Sequence, residues 1–241
     1  MLFQTDFITR VIAVSLLQIW PIFYFSYFAY RLLKRAKNRS TYTLSAYFIA
    51  TALAYFIATI SIFLINTPFS YIIYVFSLYI FVFSYSFLIN FSWVLTKLDE
   101  KSSYTKLYLR ITIYGILSLY VLLIAFVPFI GITLNASTGW IPNYSWFFLG
   151  FSWFYFLVFL IIPQIYLSMK ILKVYEGIVL KRRLNLFIIS AFLALLFPLS
   201  LFLYHTWTEN AIYRIFHLLI VQVLGIYAAY LVYKGFGRDL E

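Results

Sequence analysis

Cysteine is absent from the 241 residues of this chain, which excludes disulfides, zinc–thiolate sites and thiol chemistry. Charge is also scarce: Asp, Glu, Lys and Arg make up 10% of the residues, against about 25% in soluble globular domains. Apolar residues take their place, since 65% of the chain is hydrophobic and 24% is aromatic. This composition predicts an integral membrane protein.

Acidic residues are the rarest charged type, and none falls in the middle of an apolar stretch. Ion-coupled transporters keep carboxylates at mid-membrane, so the sequence argues against a proton pump or an ion-coupled carrier. Neither a nucleophile–base pair nor a metal cluster can be assembled from the sequence, and we expect no enzyme activity and no cofactor. The seven acidic residues are Asp6, Asp99, Glu100, Glu176, Glu209, Asp239 and Glu241.

Charged and turn-forming clusters divide the chain into seven apolar segments, each long enough to cross a hydrocarbon core of about 30 Å. The sequence therefore predicts an all-α fold, a polytopic membrane bundle of seven transmembrane helices that forms one domain over residues 1–241. The first segment is too long for a signal peptide and is expected to be retained. The predicted segments 1 to 7 are Phe7 to Leu33, Tyr42 to Ile65, Phe69 to Thr96, Leu107 to Leu134, Ser145 to Leu172, Leu184 to His205 and Ala211 to Tyr233.

The 18 basic residues give a formal charge of +11, and their placement predicts the topology. They cluster after segment 1, between segments 3 and 4, between segments 5 and 6, and after segment 7, whereas only Arg10 and Arg214 lie toward the other side. By the positive-inside rule the N-terminus is outside and the C-terminus is cytoplasmic. We thus expect a multi-pass cell-membrane protein whose basic loops face anionic lipid, and no nucleic-acid partner.

Segment 7 combines polar and small residues on one stripe. At 100° per residue, Arg214, His217, Val221, Gly225 and Ala228 share a face, with Gln222 at its flank. This stripe is expected to face the bundle. The residues expected nearer lipid are Leu219, Ile220, Leu224 and Ile226.

Further polar and aromatic residues are candidates for the bundle interior or for lining a ligand pocket. Gln18 and Gln222 lie near the centres of segments 1 and 7, and we expect their amides to share a contact. For Arg214 the structural alternative is an ion pair with Glu209 or Asp6, and the sequence gives no role for His217. The full set of interior candidates is Gln18, Trp20, Trp153, Gln164, Arg214, His217 and Gln222.

A haem ligated by two histidines is an alternative that the sequence leaves open. His205 and His217 are the only histidines of the chain, but they differ in depth by roughly 9 Å at 1.5 Å per residue, so they align poorly. The middle of segment 7 carries no lysine, which excludes a covalently bound retinal of the microbial rhodopsin type.

Two further patterns concern helix packing. Ala46, Ala50, Ala54 and Ala58 recur at every fourth residue of segment 2 and form a stripe that another helix can approach closely, either within the bundle or in a dimer. Four prolines lie inside predicted segments, where each removes a backbone hydrogen bond and favours a kink. They are Pro21, Pro128, Pro163 and Pro198.

Two resemblances to known families follow from short stretches. LKRRLNLFIISAFLALLFP, from Leu180, and LGIYAAYLVYKGFGRDL, from Leu224, resemble the last two helices of the seven-helix sensory region at the N-terminus of membrane histidine kinases. PQIYLSMKILKVYEG, from Pro163 to Gly177, is similar to the Pro-Gln motif of PQ-loop transporters, although Pro21 of segment 1 is followed by Ile22 instead of glutamine.

These observations give three functional hypotheses. The first is a receptor-like or sensory membrane module that binds a small apolar ligand or lipid and signals through separate cytoplasmic partners, as the kinase resemblance implies. The second is a non-catalytic accessory subunit of a larger membrane complex. The third is a small-molecule transporter of the PQ-loop type.

Overall fold

A computed structural model of the chain describes residues 7–35, 38–65, 67–97, 104–175 and 177–237. For residues 7–18, 179, 236 and 237 it describes the backbone without the side chain. The side chain of Gln18 and the whole of Asp6 therefore lie outside the described residues.

Long helices make up nearly all of the described chain. Helix α1 is Phe7–Arg35, α2 is Arg39–Phe63, α3 is Pro68–Leu95, α4 is Tyr104–Ala125 and α6 is Ile178–Thr206. The other two each have three consecutive parts: α5 is Trp146–Tyr155, Phe156–Ile161 and Ile162–Val174, and α7 is Ala211–Phe216, His217–Val221 and Gln222–Gly237. The predicted all-α class is confirmed.

Among the described residues, six helices, α2 to α7, are long and apolar enough to cross a membrane. A helix satisfies its backbone hydrogen bonds internally, as a chain in hydrocarbon must. The protein is therefore a multi-pass membrane protein.

The helices pack largely in chain order, with α3 at the centre. Helix α2 packs along α1 and α3, α3 also contacts α4 and α5, and α6 lies between α5 and α7, which returns to α1. In the most apolar stretch of α3, 56% of the residues are buried, against 17% in α4. Helix α4 therefore stands at the periphery, with most of its surface left for lipid or a partner.

The predicted end of segment 4 at Leu134 is wrong, and so is the placement of Pro128 inside a helix. Helix α4 ends at Ala125, and Phe129 adopts a positive φ of 66°. Proline disfavours the helical conformation in the residue before it, so a helix is expected to stop ahead of Pro128. The apolar run continues to Leu134, which is why hydropathy alone extended the segment.

A short antiparallel hairpin fills the connection between α4 and α5. Strand β1, Ile132–Thr133, pairs with β2, Asn143–Tyr144, with Ile132 opposite Tyr144. The Tyr144 hydroxyl lies 2.6 Å from that of Tyr74 on α3, which ties the hairpin to the bundle. Burial and then the Tyr74 hydroxyl raise the pKa of Tyr144, so its hydroxyl stays neutral.

Four helices contain an interior proline or a π-helical part. Pro21 lies inside α1 and Pro198 inside α6, as predicted. The segments Phe156–Ile161 of α5 and His217–Val221 of α7 are π-helical, and the first of them ends just before Pro163, which has no N–H to continue the α ladder. Single π turns of this kind are frequent at functional sites.

The four alanines of the α2 stripe differ in how deeply they are buried. Ala54 is buried, while Ala46, Ala50 and Ala58 are half-buried. Since α2 packs along both α1 and α3, intrachain contacts are available to this stripe, and a dimer is not needed to account for it.

Candidate functional site

The interior candidates do not form one cluster, and Trp20 is not an interior residue. Its side chain is 64% exposed, which corrects that expectation. The buried face of α1 is carried by Phe25, Phe28, Ala29 and Leu32, and Trp20 lies roughly 130° around the helix from the centre of that face at 100° per residue. Trp20 therefore lies on the outer surface of the bundle.

Gln164 is fully buried and joins α5 to α3. Its Oε1 accepts a hydrogen bond from Ser92 at 2.9 Å, and its Nε2 donates to Ser168 Oγ at 3.3 Å. The amide next to Pro163 is thus part of a buried polar contact between two helices.

Gln222 lines a small cavity in the middle of the bundle. Tyr47, Tyr55 and Tyr85 contribute to the same wall, and Pro21 of α1 closes one side. The cavity measures about 20 Å³, which is room for about one water molecule and too little for an organic ligand. The contact between Gln18 and Gln222 stays a prediction, because the Gln18 side chain lies outside the described residues.

His217 is fully buried and joins α7 to α6. Its Nδ1 lies 2.9 Å from Ser200 Oγ, and the described residues give its buried Nε2 no hydrogen-bond partner. The imidazole packs against the rings of Tyr204 and Phe197, at centroid distances of 4.8 and 5.9 Å. His217, for which the sequence indicated no role, is therefore part of a contact between two helices.

Ser200 extends this contact to Tyr213. The two hydroxyls lie 2.6 Å apart, and the Tyr213 hydroxyl also donates to the Ser200 carbonyl at 3.0 Å. Sequence reasoning missed both residues, although a signal was present: Tyr213 precedes His217 by four residues and therefore shares its helix face. Ser200 carried no such signal, since only the fold brings α6 beside α7.

An apolar groove opens beside this network, between α5, α6 and α7, with a volume of about 270 Å³. We call it the α5–α7 groove. Trp153 lines it while remaining 36% exposed, and its indole N–H donates to the Leu199 carbonyl at 3.0 Å. The remaining lining residues are Leu157, Leu196, Leu199, Ser200, Leu203 and Tyr213.

Arg214 lies between Tyr213 and His217 along the chain and contacts different partners. Its guanidinium lies over the Tyr204 ring at 4.8 Å, and it donates to the Tyr204 hydroxyl at 3.2 Å and to the Thr208 carbonyl at 3.4 Å. The ion pair of Arg214 with Glu209 or Asp6 stays a prediction, and Asp6 lies outside the described residues.

The geometry of the two histidines does not suit haem ligation. Tyr204 is in ring contact with both imidazoles, at 5.0 Å for His205 and 4.8 Å for His217. The Nε2 of His217 is enclosed by protein atoms, so an iron atom could not approach it without rearrangement. Within the described ranges there is no group of three or more His, Cys, Asp or Glu residues placed to hold a metal ion.

Comparison with known proteins adds no family. No family model matches the sequence, and neither a curated protein nor a solved structure is similar to it.

Proposed function

We propose that this protein is a receptor-like membrane module that binds one lipid-like molecule in the α5–α7 groove and signals through a separate partner. In this proposal all seven helices span the membrane, with the N-terminus outside. Basic residues support it, since they occupy the last turns of the odd-numbered helices α1, α5 and α7: Lys34 and Arg35, Lys173, and Lys234. If each helix crosses the membrane, these three ends share one side, which the positive-inside rule assigns to the cytoplasm.

The observation that carries the proposal is that the π-helical parts of α5 and α7 and Pro198 of α6 all lie at or next to one groove. Leu157 belongs to the π-helical part of α5, and Ser200 follows Pro198 by two residues. Tyr213 lies one turn before the π-helical part of α7. Irregular backbone in a membrane helix is tolerated where neighbours satisfy the freed groups, and here it surrounds a cavity.

The lining defines the chemistry of the ligand. Leucine and tryptophan side chains make the groove mainly apolar, and the Ser200 and Tyr213 hydroxyls form one polar point within it. Ligand pockets commonly combine an apolar wall with a few polar groups that fix orientation. A long-chain molecule with a single hydroxyl or carboxyl group fits this pattern, with its polar end at the two hydroxyls.

The same residues connect the groove to helix packing. Ser200 bonds both Tyr213 and His217 of α7, so a ligand that binds Ser200 competes with a contact between α6 and α7. A ligand shifts an equilibrium only by its differential affinity for two states. Exchange of the Ser200 hydrogen bond from α7 to the ligand supplies such a difference in affinity. Helix α7 would transmit the resulting change in packing to Lys234 at its basic end.

A hydrolase is a poorer match to the pair of Ser200 and His217. A hydroxyl beside an imidazole is the arrangement of an activated nucleophile, but acyl transfer also needs free donors for the oxyanion. Ser200 lies within the continuous helix α6, where backbone N–H groups bond within the helix.

The test is thermal unfolding of the purified full chain with dodecanol, decanoic acid or dodecane. We expect the alcohol and the acid to stabilise the protein more than the alkane, and Tyr213→Phe to reduce that gain. Ser190→Ala is the control for loss of a buried hydroxyl outside the groove, because among the described residues the Ser190 hydroxyl of α6 bonds only the Phe187 carbonyl. Equal stabilisation by all three compounds, or by none, would count against the groove as a ligand site.

An accessory subunit is the second candidate, and the exposed surface of α4 favours it. Large apolar side chains stand along this peripheral helix, among them Tyr108, Ile113 and Tyr120. A partner held there should co-purify in fixed stoichiometry under mild detergent and be lost on Ile113→Trp. If Ile113→Trp keeps the partner, α4 is not its docking face.

A further inference from the structure

Arg110 is a cation within α4 whose described partners are neutral. It is the seventh residue of that helix and is half-buried. Its Nε donates to Asn90 Oδ1 at 3.1 Å, and its guanidinium lies 4.9 Å from the centroid of the Trp93 ring. Asn90 and Trp93 hold the group in place without compensating its charge.

Asn90, which accepts the Arg110 hydrogen bond, is itself held in one orientation. Asn90 is fully buried, and its Nδ2 donates to the Ser86 carbonyl at 2.9 Å, so its Oδ1 is oriented toward Arg110. Nε is thereby occupied, while Nη1 and Nη2 have no hydrogen-bond partner among residues that the structure describes. The edge of the guanidinium that can bind two oxygens remains available.

An arginine within an apolar helix favours an anionic partner, because ionised side chains in membrane helices are costly unless they are paired. We propose that Arg110 binds the phosphate of an anionic phospholipid at the basic end of the bundle. Arginine recognises phosphate through two parallel N–H donors, and these are the donors that Asn90 leaves unused.

The surroundings favour a lipid over a soluble phosphate compound. Lys106 is exposed four residues earlier on the same face, where it can add a second positive charge to the head group. Helix α4 has the smallest buried share of the six apolar helices, so lipid reaches this face freely. Basic sites on membrane helices commonly bind anionic head groups.

Native mass spectrometry of the full chain from phosphatidylcholine nanodiscs that contain phosphatidylglycerol tests this proposal. We expect the wild type to retain phosphatidylglycerol, and Arg110→Gln to lower its affinity about tenfold, as the loss of a charged hydrogen bond implies. Arg110→Lys should show an intermediate loss, since it keeps the charge without the planar pair of donors. Arg110→Lys also provides the test if Arg110→Gln does not fold.

The matched control is Arg182→Gln, which removes the same charge from an exposed position near the start of α6. An equal loss in Arg182→Gln would reduce the effect to general surface charge and overturn the site. Displacement of the lipid by inorganic phosphate would identify a soluble ligand instead. The carboxylates of Asp99 and Glu100 lie outside the described residues, and the double variant Asp99→Asn with Glu100→Gln tests whether they pair with Arg110. Unchanged affinity for phosphatidylglycerol in this variant supports the proposal. A tenfold gain in that affinity would mean that these carboxylates occupy Arg110.

Discussion

Ser200 Oγ lies 2.9 Å from Nδ1 of His217, and this contact joins α6 to α7 inside the apolar bundle. The opposite nitrogen of the imidazole, Nε2, is buried without a hydrogen bond to any described residue. The Ser200 contact is therefore the one described hydrogen bond of a ring that is otherwise enclosed by aromatic side chains. Its loss should leave both ring nitrogens unsatisfied.

Ser200→Ala should destabilise the protein by about 1–3 kcal/mol, the usual cost of leaving a buried polar group without its partner. Thermal unfolding in detergent measures this loss. Ser190→Ala, the control on the same helix, should cost less, because the carbonyl of Phe187 is the one partner of the Ser190 hydroxyl among the described residues.

A double-mutant cycle separates the pair from its surroundings. Ser200→Ala combined with His217→Phe should cost less than the sum of the two single changes, since the aromatic ring fills the space without a buried nitrogen. Strict additivity would show that the two residues do not stabilise each other.

Gly225→Ala should disturb the contact between α7 and α6. A Cβ at Gly225 would lie 2.7 Å from Cδ2 of Phe197, a buried side chain. Overpacking of this kind costs about 1–3 kcal/mol. The control is Gly150→Ala in α5, where a Cβ would have no neighbour within 4 Å and helix propensity should give a gain of up to about 1 kcal/mol.

Phe197→Leu should recover part of the stability that Gly225→Ala loses, because the smaller side chain vacates the position of the new methyl group. Thermal unfolding of the single and double variants in the same detergent gives the comparison. If Phe197→Leu also raises the stability of the wild type, the leucine has a general effect that does not depend on Gly225→Ala.

The sequence predicted the buried face of α7 because lipid and protein select different residues. Ala228 and His217 are buried, whereas Leu219, Ile220 and Leu224 are exposed, in keeping with a stripe of small and polar residues. Ile226, expected nearer lipid, instead is half-buried and accepts a hydrogen bond from Tyr24 of α1 through its carbonyl. A flank position depends on where the neighbouring helix crosses, and periodicity does not contain that information.

Other features could not be predicted from local pattern. Trp20 is itself apolar and has apolar neighbours along the chain, so its exposure is set by which side of α1 meets α2 and α7. The network of Ser200, Tyr213 and His217 joins residues up to 17 positions apart, and serine and tyrosine are common throughout the chain. Only the three-dimensional fold distinguishes these hydroxyls from the rest.

Gln164→Leu should weaken the contact between α5 and α3. The change removes the interhelical bond from the Ser92 hydroxyl and the bond to Ser168 within α5, and an interhelical bond contributes about 0.6–2 kcal/mol in membranes. Ser168→Ala, which removes only the longer of the two bonds, should cost less. Comparison of the unfolding temperatures of both variants decides the point, and a larger effect of Ser168→Ala would contradict this assignment.

Gly131→Ala should disrupt the turn that ends α4, because the glycine lies where two backbone carbonyls leave no room for a side chain. A Cβ there would approach the carbonyl oxygens of Ala125 and Ile124 at 2.3 and 2.4 Å, and backbone atoms cannot yield as a flexible side chain can. We expect a loss of about 3 kcal/mol or more, seen as a lower unfolding temperature.

Gly139→Ala in the same hairpin is the control. The φ of +59° at Gly139 is unfavourable for alanine, but its Cβ would meet nothing within 4 Å, so the cost should stay near 1–2 kcal/mol. Equal losses in the two variants would mean that the hairpin tolerates displacement at Gly131 and that α4 does not depend on this close approach to end at Ala125.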